Sequence, residues 1–135
     1  MTKEELCAKA KEAMENSYSP YSGCTVGAAL LAKSGIVYLG TNIESASFSP
    51  TICAERSAFA AAVSNGEREF SALAVAGGKD RKITSAFYPC GVCRQVIREF
   101  CGDDFPIYVL AADSEILESR LIDLLPNSFS KEAMS

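Results

Sequence analysis

The sequence predicts an α/β fold in which helices cover both faces of a mixed β-sheet. Helix-like and strand-like segments alternate along the chain, and 135 residues that are 48% hydrophobic can build one core but hardly two. No internal repeat, low-complexity tract or interdomain linker breaks the alternation, so residues 1–135 are expected to form a single domain.

Thr2 can cap a helix with Glu5 at its third position, a capping box. Leu6, Ala10, Ala13 and Met14 then share one face, which predicts a helix over roughly residues 3–16. Asn16 to Gly23, rich in Ser, Tyr and Pro, reads as a loop. Val26 to Lys33 and Ile36 to Thr41 read as strands joined at Ser34-Gly35, a hairpin. After the Ser-rich segment from Ser45 to Ile52, Thr51 can cap a helix from about Cys53 to Ser64 that stops at Asn65-Gly66. Its apolar residues go nearly all round, which predicts burial. Ala72 to Ala76 is a short buried-type strand, and Gly77 to Lys82 reads as a polar turn. Pro89 opens a helix from Gly91 to Cys101 that ends before Gly102. Ile107 to Ala111 and Ile116 to Ser119 are further strands, and Leu121 to Leu125 is a short helix stopped by Pro126. The last nine residues, with Phe129 alone among small and polar neighbours, are either a frayed tail or an arm packed on another surface.

Composition removes several classes of function. No apolar-plus-Gly run exceeds that from Val26 to Ala32, which is far short of the roughly 20 residues that cross a bilayer. Met1-Thr2-Lys3-Glu4-Glu5 places acids where an export signal carries cations, so a cytoplasmic address is expected. Thirteen Lys and Arg against 17 Asp and Glu give a net charge of −4, which disfavours a polynucleotide partner. The chain contains no histidine, which excludes Ser-His-Asp and Cys-His catalysis and any imidazole metal ligand. Six cysteines in a reducing compartment read as metal ligands or redox groups before disulfides.

Two segments concentrate that chemistry: Thr51-Ile52-Cys53-Ala54-Glu55-Arg56 and Tyr88-Pro89-Cys90-Gly91-Val92-Cys93-Arg94-Gln95. Each places cysteine at a helix start, where unpaired N–H groups and the positive end of the helix dipole favour thiolate. Cys90 and Cys93 have the spacing that grips one ion, and Cys53 would be the third ligand. Three protein ligands leave one position open, the mark of catalytic rather than structural zinc. Glu55 could reach a bound water without being a ligand, an arrangement with the pattern of zinc-dependent base deaminases.

At these residues the sequence resembles the small cytidine deaminases, the homotetrameric branch that uses three cysteines. The resemblance extends through Pro20-Tyr21-Ser22, Val26-Gly27-Ala28-Ala29-Leu30, Asn42-Ile43-Glu44, and Leu124-Leu125-Pro126 with Phe129. It implies an α/β/α sandwich around a five-stranded mixed sheet and one Zn2+ per subunit. The implied reaction is deamination of cytidine and 2′-deoxycytidine to the uridine compounds. Zinc would bring the pKa of its water near 7; Glu55 would take that proton, protonate N3 and deliver a proton to the leaving amine. By the same resemblance Arg56 compensates the thiolate charge, and Asn42 and Glu44 hold the sugar hydroxyls. Phe48 and Ala54 lie in the substrate site, and Phe129 reaches a neighbouring subunit's base.

Other readings stay open at this level. A fourth thiolate from Cys7, Cys24 or Cys101 would make the zinc structural, and the C-x-x-C pair alone would suit a thiol–disulfide exchanger. Cys24 stands where the family usually has an aromatic, Ser45 replaces a common asparagine, and Tyr88 precedes Pro89 where serine is usual. These departures admit an alternative substrate, a modified cytosine nucleoside or a blasticidin S-like antibiotic, although the Asn42-Ile43-Glu44 motif favours an ordinary nucleoside.

Overall fold

A computed structural model describes residues 1–135. Five strands form one sheet in the order β2-β1-β3-β4-β5: β1 Cys24–Ala32, β2 Val37–Thr41, β3 Phe70–Lys79, β4 Pro106–Leu110 and β5 Ile116–Arg120. Only β3 and β4 are parallel; the other neighbours run antiparallel. A parallel pair needs a crossover, which helix α3 (Gly91–Phe100) supplies.

Alternation along the strands divides the core into two layers. On one face Leu30, Leu73, Val75, Ile107 and Val109 pack against α2 (Ala54–Ser64), α3 and the short α4 (Leu121–Leu124). On the other, Ala29, Ala74 and Ala76 receive Leu6, Cys7 and Ala10 of α1 (Lys3–Ala13) and Met14 just after it. The expected α/β/α arrangement is therefore present.

Several boundaries differ from the sequence expectation, each for a local reason. The first helix is shorter, and Met14–Asn16 tighten into a 3-10 turn. The Thr2 hydroxyl accepts from the Glu5 N–H at 3.1 Å but also donates to the Glu5 carboxylate, so the return bond of a capping box is replaced by a side-chain contact. Cys53, not Thr51, caps α2: its backbone is extended, its carbonyl accepts from the Ser57 N–H, and the Thr51 hydroxyl is taken by the Ser45 N–H. α2 is also buried on one side only, since Ala60 is exposed and Ala61 and Val63 are half-buried. Gly77-Gly78-Lys79 is not a turn but the end of β3, paired with Cys24, Thr25 and Val26 of β1. The reversal comes afterwards, at Asp80 and Arg81, both with positive φ. Finally, the C-terminal segment is an arm rather than a frayed tail. Gln95 donates to the Phe129 carbonyl at 2.8 Å and Arg98 to the Ser128 hydroxyl at 2.8 Å.

Gly40 sets how closely α2 meets the sheet. A Cβ there would lie 2.3 Å from the Ala54 carbonyl oxygen and 2.4 Å from the Ala58 nitrogen, so only glycine lets the helix sit at this depth on β2.

Candidate active site

The starts of α2 and α3 converge on one cavity. Cys53 and Cys90 are the residues preceding the two helices, and Cys93 lies in the first turn of α3. Their three sulfurs lie within 4.8 Å of one another, with Cys53 and Cys90 Sγ 3.7 Å apart. Tetrahedral zinc with Zn–S bonds of about 2.3 Å requires sulfurs about 3.8 Å apart, so the trio fits the ion. No fourth thiol joins them: Cys7 and Cys101 are pushed up to about 11 and about 12 by burial elsewhere, and Cys24 lies on β1 outside the cluster. This removes the closed, structural zinc site.

Charge in the cluster is organised by Arg56. Its Nη2 donates to Cys53 Sγ at 3.5 Å, while its buried Nε has no hydrogen-bond partner. A cation with an unpaired donor beside sulfur suits thiolates. Cys53 is accordingly held down to about 5, first by the hydrogen bond from Cys93, then by Arg56, against the opposing effect of burial. Cys93 moves upward because it keeps the proton of that bond and is buried. The anionic Cys53 in turn raises Arg56.

Glu55, the second residue of α2, is only 4% exposed. Burial pushes its carboxyl up to about 7; a backbone hydrogen bond opposes the rise and the Cys53 charge adds to it. A carboxyl poised near neutrality can both accept and release a proton.

A second wall comes from the segment that follows β2. Asn42 is buried, and its side-chain oxygen accepts from Ser17 Oγ and from the Val26 N–H at 3.0 Å. Its amide nitrogen donates to the Cys24 carbonyl at 2.8 Å, leaving one N–H for a ligand. Glu44 accepts from the Tyr21 and Ser22 N–H groups at 3.0 and 3.1 Å and from the Ser22 hydroxyl. Those bonds, led by the Ser22 hydroxyl, hold its carboxyl below the ordinary range, so it is a fixed anionic acceptor.

Asn42, Glu44, Cys53, Ala54, Glu55 and Cys90 thus line one cavity of about 260 Å3. Sequence reasoning did not single out Val26, Thr51, Ile52 or Phe87 of the same lining, and it noted Tyr88 only as a departure. Cys24, which stands where the family usually has an aromatic, does not line the cavity; Phe87 and Tyr88 supply its aromatic surface. Phe48 also stands outside it, 73% exposed, with its ring edge-on to Tyr21 at 6.0 Å over an adjacent depression that shares Glu44 and Thr51. Phe129 is 63% exposed on the C-terminal arm and lines none of this cavity. Larger depressions of about 470 and 560 Å3 lie near the end of α3, but no three ligating groups converge there.

Comparison with known proteins agrees with this geometry. The profile of the "Cytidine and deoxycytidylate deaminase zinc-binding region" matches residues 1–109. The chain is 48% identical over 135 residues to a cytidine deaminase of Sporosarcina psychrophila, covering 100% of this chain and 96% of that one. It is 42% identical to a cytidine deaminase of Halalkalibacterium halodurans, with 100% and 99% covered. The crystal structure of cytidine deaminase from Burkholderia pseudomallei superimposes with a TM-score of 0.88 at 38% identity, covering 96% of this chain and 100% of that chain.

Proposed function

This chain belongs to the zinc-dependent cytidine and deoxycytidylate deaminase family, and we propose that it hydrolyses cytidine and 2′-deoxycytidine to uridine and 2′-deoxyuridine with release of ammonia. One observation carries the reading: a buried carboxyl, Glu55, lines the same cavity as Cys53 and Cys90 of the three-sulfur cluster and as Asn42 and Glu44.

Cys53, Cys90 and Cys93 would hold the zinc, which when bound makes water nucleophilic at neutral pH. Three thiolates and a divalent ion sum to one negative charge, and Arg56 offsets it. Glu55 takes a proton from the attacking water and places it on N3 of the base. After C4–O bond formation it carries the second proton from that oxygen to the amino group, whose bond to C4 breaks as ammonia leaves. Glu44, anionic and fixed by Ser22 and Tyr21, accepts hydrogen bonds from sugar hydroxyls, and Asn42 offers its free N–H. Ala54 lines the cavity and would lie against the substrate.

The same reading includes a cytoplasmic homotetramer acting in pyrimidine salvage, with no polynucleotide or membrane partner. Its support is the exposed side of α2, the exposed rings of Phe48 and Phe129, and the negative net charge; no helix is long and apolar enough to cross a membrane. In the assembled protein Phe129 would reach a neighbour's site, and Phe48 stands beside the cavity of its own subunit. Sedimentation at working concentration should give four subunits, and a monomer with full activity would remove the shared-site role.

Deamination itself is tested by the ultraviolet spectrum of cytidine and by ammonia release with zinc-loaded protein. Wild type should convert cytidine, whereas Glu55→Gln should retain zinc and lose turnover. Equal rates in the two proteins would refute the role of Glu55, and no conversion by the zinc-loaded wild type would refute the activity.

A further inference from the structure

Between β3 and α3 the chain doubles back across the end of the sheet, and two adjacent glycines make room for it. A Cβ on Gly78 would lie 1.8 Å from the Lys82 carbonyl oxygen. One on Gly77 would lie 2.6, 2.8 and 2.9 Å from Cδ2, Cγ and Cβ of Phe87. The Phe87 ring therefore rests on bare backbone, and a side chain at residue 77 would have to displace it.

That position places Phe87 against the proposed substrate. Gly77 pairs with Val26 across β1 and β3, and Val26 and Phe87 line the same cavity as Glu55, Glu44 and Asn42. The ring cannot withdraw into the sheet, because the Gly77 backbone stands behind it. Nor can its chain swing freely. Ala86 packs against the hydrophobic core, and Pro89 is fully buried with its carbonyl accepting from Arg94 at 2.7 Å. Tyr88, 41% exposed, continues the aromatic wall to the rim.

A cytosine ring has a polar edge, O2, N3 and the amino group, and a carbon edge, C5 and C6. Proton transfer through Glu55 requires the polar edge at the carboxyl, which leaves the carbon edge for the apolar lining. We propose that Phe87, bedded on Gly77, is the specificity-determining residue that limits the size of a substituent on the carbon edge of the pyrimidine. This rests on the deaminase reading above. A pocket discriminates one methyl group by about 10- to 200-fold, which sets the scale of the effect.

The experiment compares cytidine with 5-methylcytidine by kcat/KM, and uridine with 5-methyluridine by calorimetric Kd, in zinc-loaded wild type, Phe87→Ala, Gly77→Ala and Gly77→Ala/Phe87→Ala. Wild type should favour the unmethylated compound of each pair. Phe87→Ala should shrink both preferences by at least about tenfold, chiefly through tighter handling of the methylated compound. The double variant should match Phe87→Ala, while Gly77→Ala alone, which drives the ring forward, should weaken uridine binding. If Phe87→Ala loses zinc, the same ratios in Phe87→Leu decide. A change below about threefold in both ratios overturns the proposal while leaving the deaminase reading intact. Wild type that binds the uridine pair without converting the cytidine pair refutes the deaminase reading, and the Kd ratio still decides the role of Phe87. Wild type that neither binds nor converts any of the four compounds overturns both.

Discussion

The two walls of the cavity are held by different physics. Cys53, Glu55, Cys90 and Cys93 sit at the starts of two helices, where backbone geometry sets their spacing, and burial or mutual contact moves the ionisation of Cys53, Glu55 and Cys93 far from ordinary values. Asn42 and Glu44 follow a strand, and their orientation comes from hydrogen bonds sent by another loop, through Ser17, Tyr21 and Ser22. The first wall controls where protons and metal charge reside; the second presents prearranged polar atoms. Damage to the first should therefore abolish chemistry, whereas damage to the second should weaken recognition.

The largest expected effect is loss of a ligand. Cys93→Ala removes a fully buried sulfur from the trio and should leave protein with less than stoichiometric zinc by metal analysis and no measurable turnover. Full zinc content in that variant would mean that the cluster is held differently. Next is Glu55→Gln, which keeps shape and removes the transferable proton; a fall in kcat of about 10²- to 10⁴-fold with zinc retained is expected from steady-state kinetics.

On the other wall, Glu44→Gln should raise KM for cytidine by roughly 10- to 100-fold, the equivalent of about 1.5–3 kcal/mol for charged hydrogen bonds, with a smaller change in kcat. An equal fall in kcat would erase the distinction between the walls. Smaller still is Ser22→Ala, which leaves the two backbone donors to Glu44 and should raise KM about fivefold, as loss of one hydrogen bond of about 1 kcal/mol does.

The pH dependence sharpens the same comparison. Glu44 has a folded pKa below its ordinary value, so its ionised form and the bonds it makes are fully present above the ordinary carboxyl pKa. They are lost as pH falls through the folded one. KM should stay level through neutral and mildly acidic pH and rise only below the ordinary carboxyl range. Ser22→Ala, lacking the leading cause of the shift, should begin that rise at higher pH; superimposable profiles would show that Ser22 does not set the ionisation.

The three-sulfur wall was legible because its signal is local. Cys90 and Cys93 are three residues apart on one turn, and Glu55 follows Cys53 by two, so helix geometry alone brings each pair together. Asn42 and Glu44 were legible only through the resemblance, and the serines that orient them were missed. Ser17 and Ser22 are far from them in sequence and carry no periodic mark. The misplaced cap of α2 has a similar origin: Thr51 is a good capping residue, but a long-range partner, the Ser45 N–H, occupies its hydroxyl.

By itself, the sequence determined the α/β class, the hairpin, the helix that links the parallel strands, and the two cysteine-bearing helix starts, because periodicity and short spacings are properties of neighbouring residues. The tertiary structure decided that the three sulfurs meet without a fourth, that β3 runs on through Gly77 and Gly78, and that α2 keeps one side exposed. It also decided that Phe87, rather than Cys24, walls the cavity. Phe87 lies in a segment with no regular period, and its place depends on a glycine bed ten residues earlier and a proline anchored two residues later. Such a position arises from steric closure between distant backbone segments, which appears only when the chain is folded.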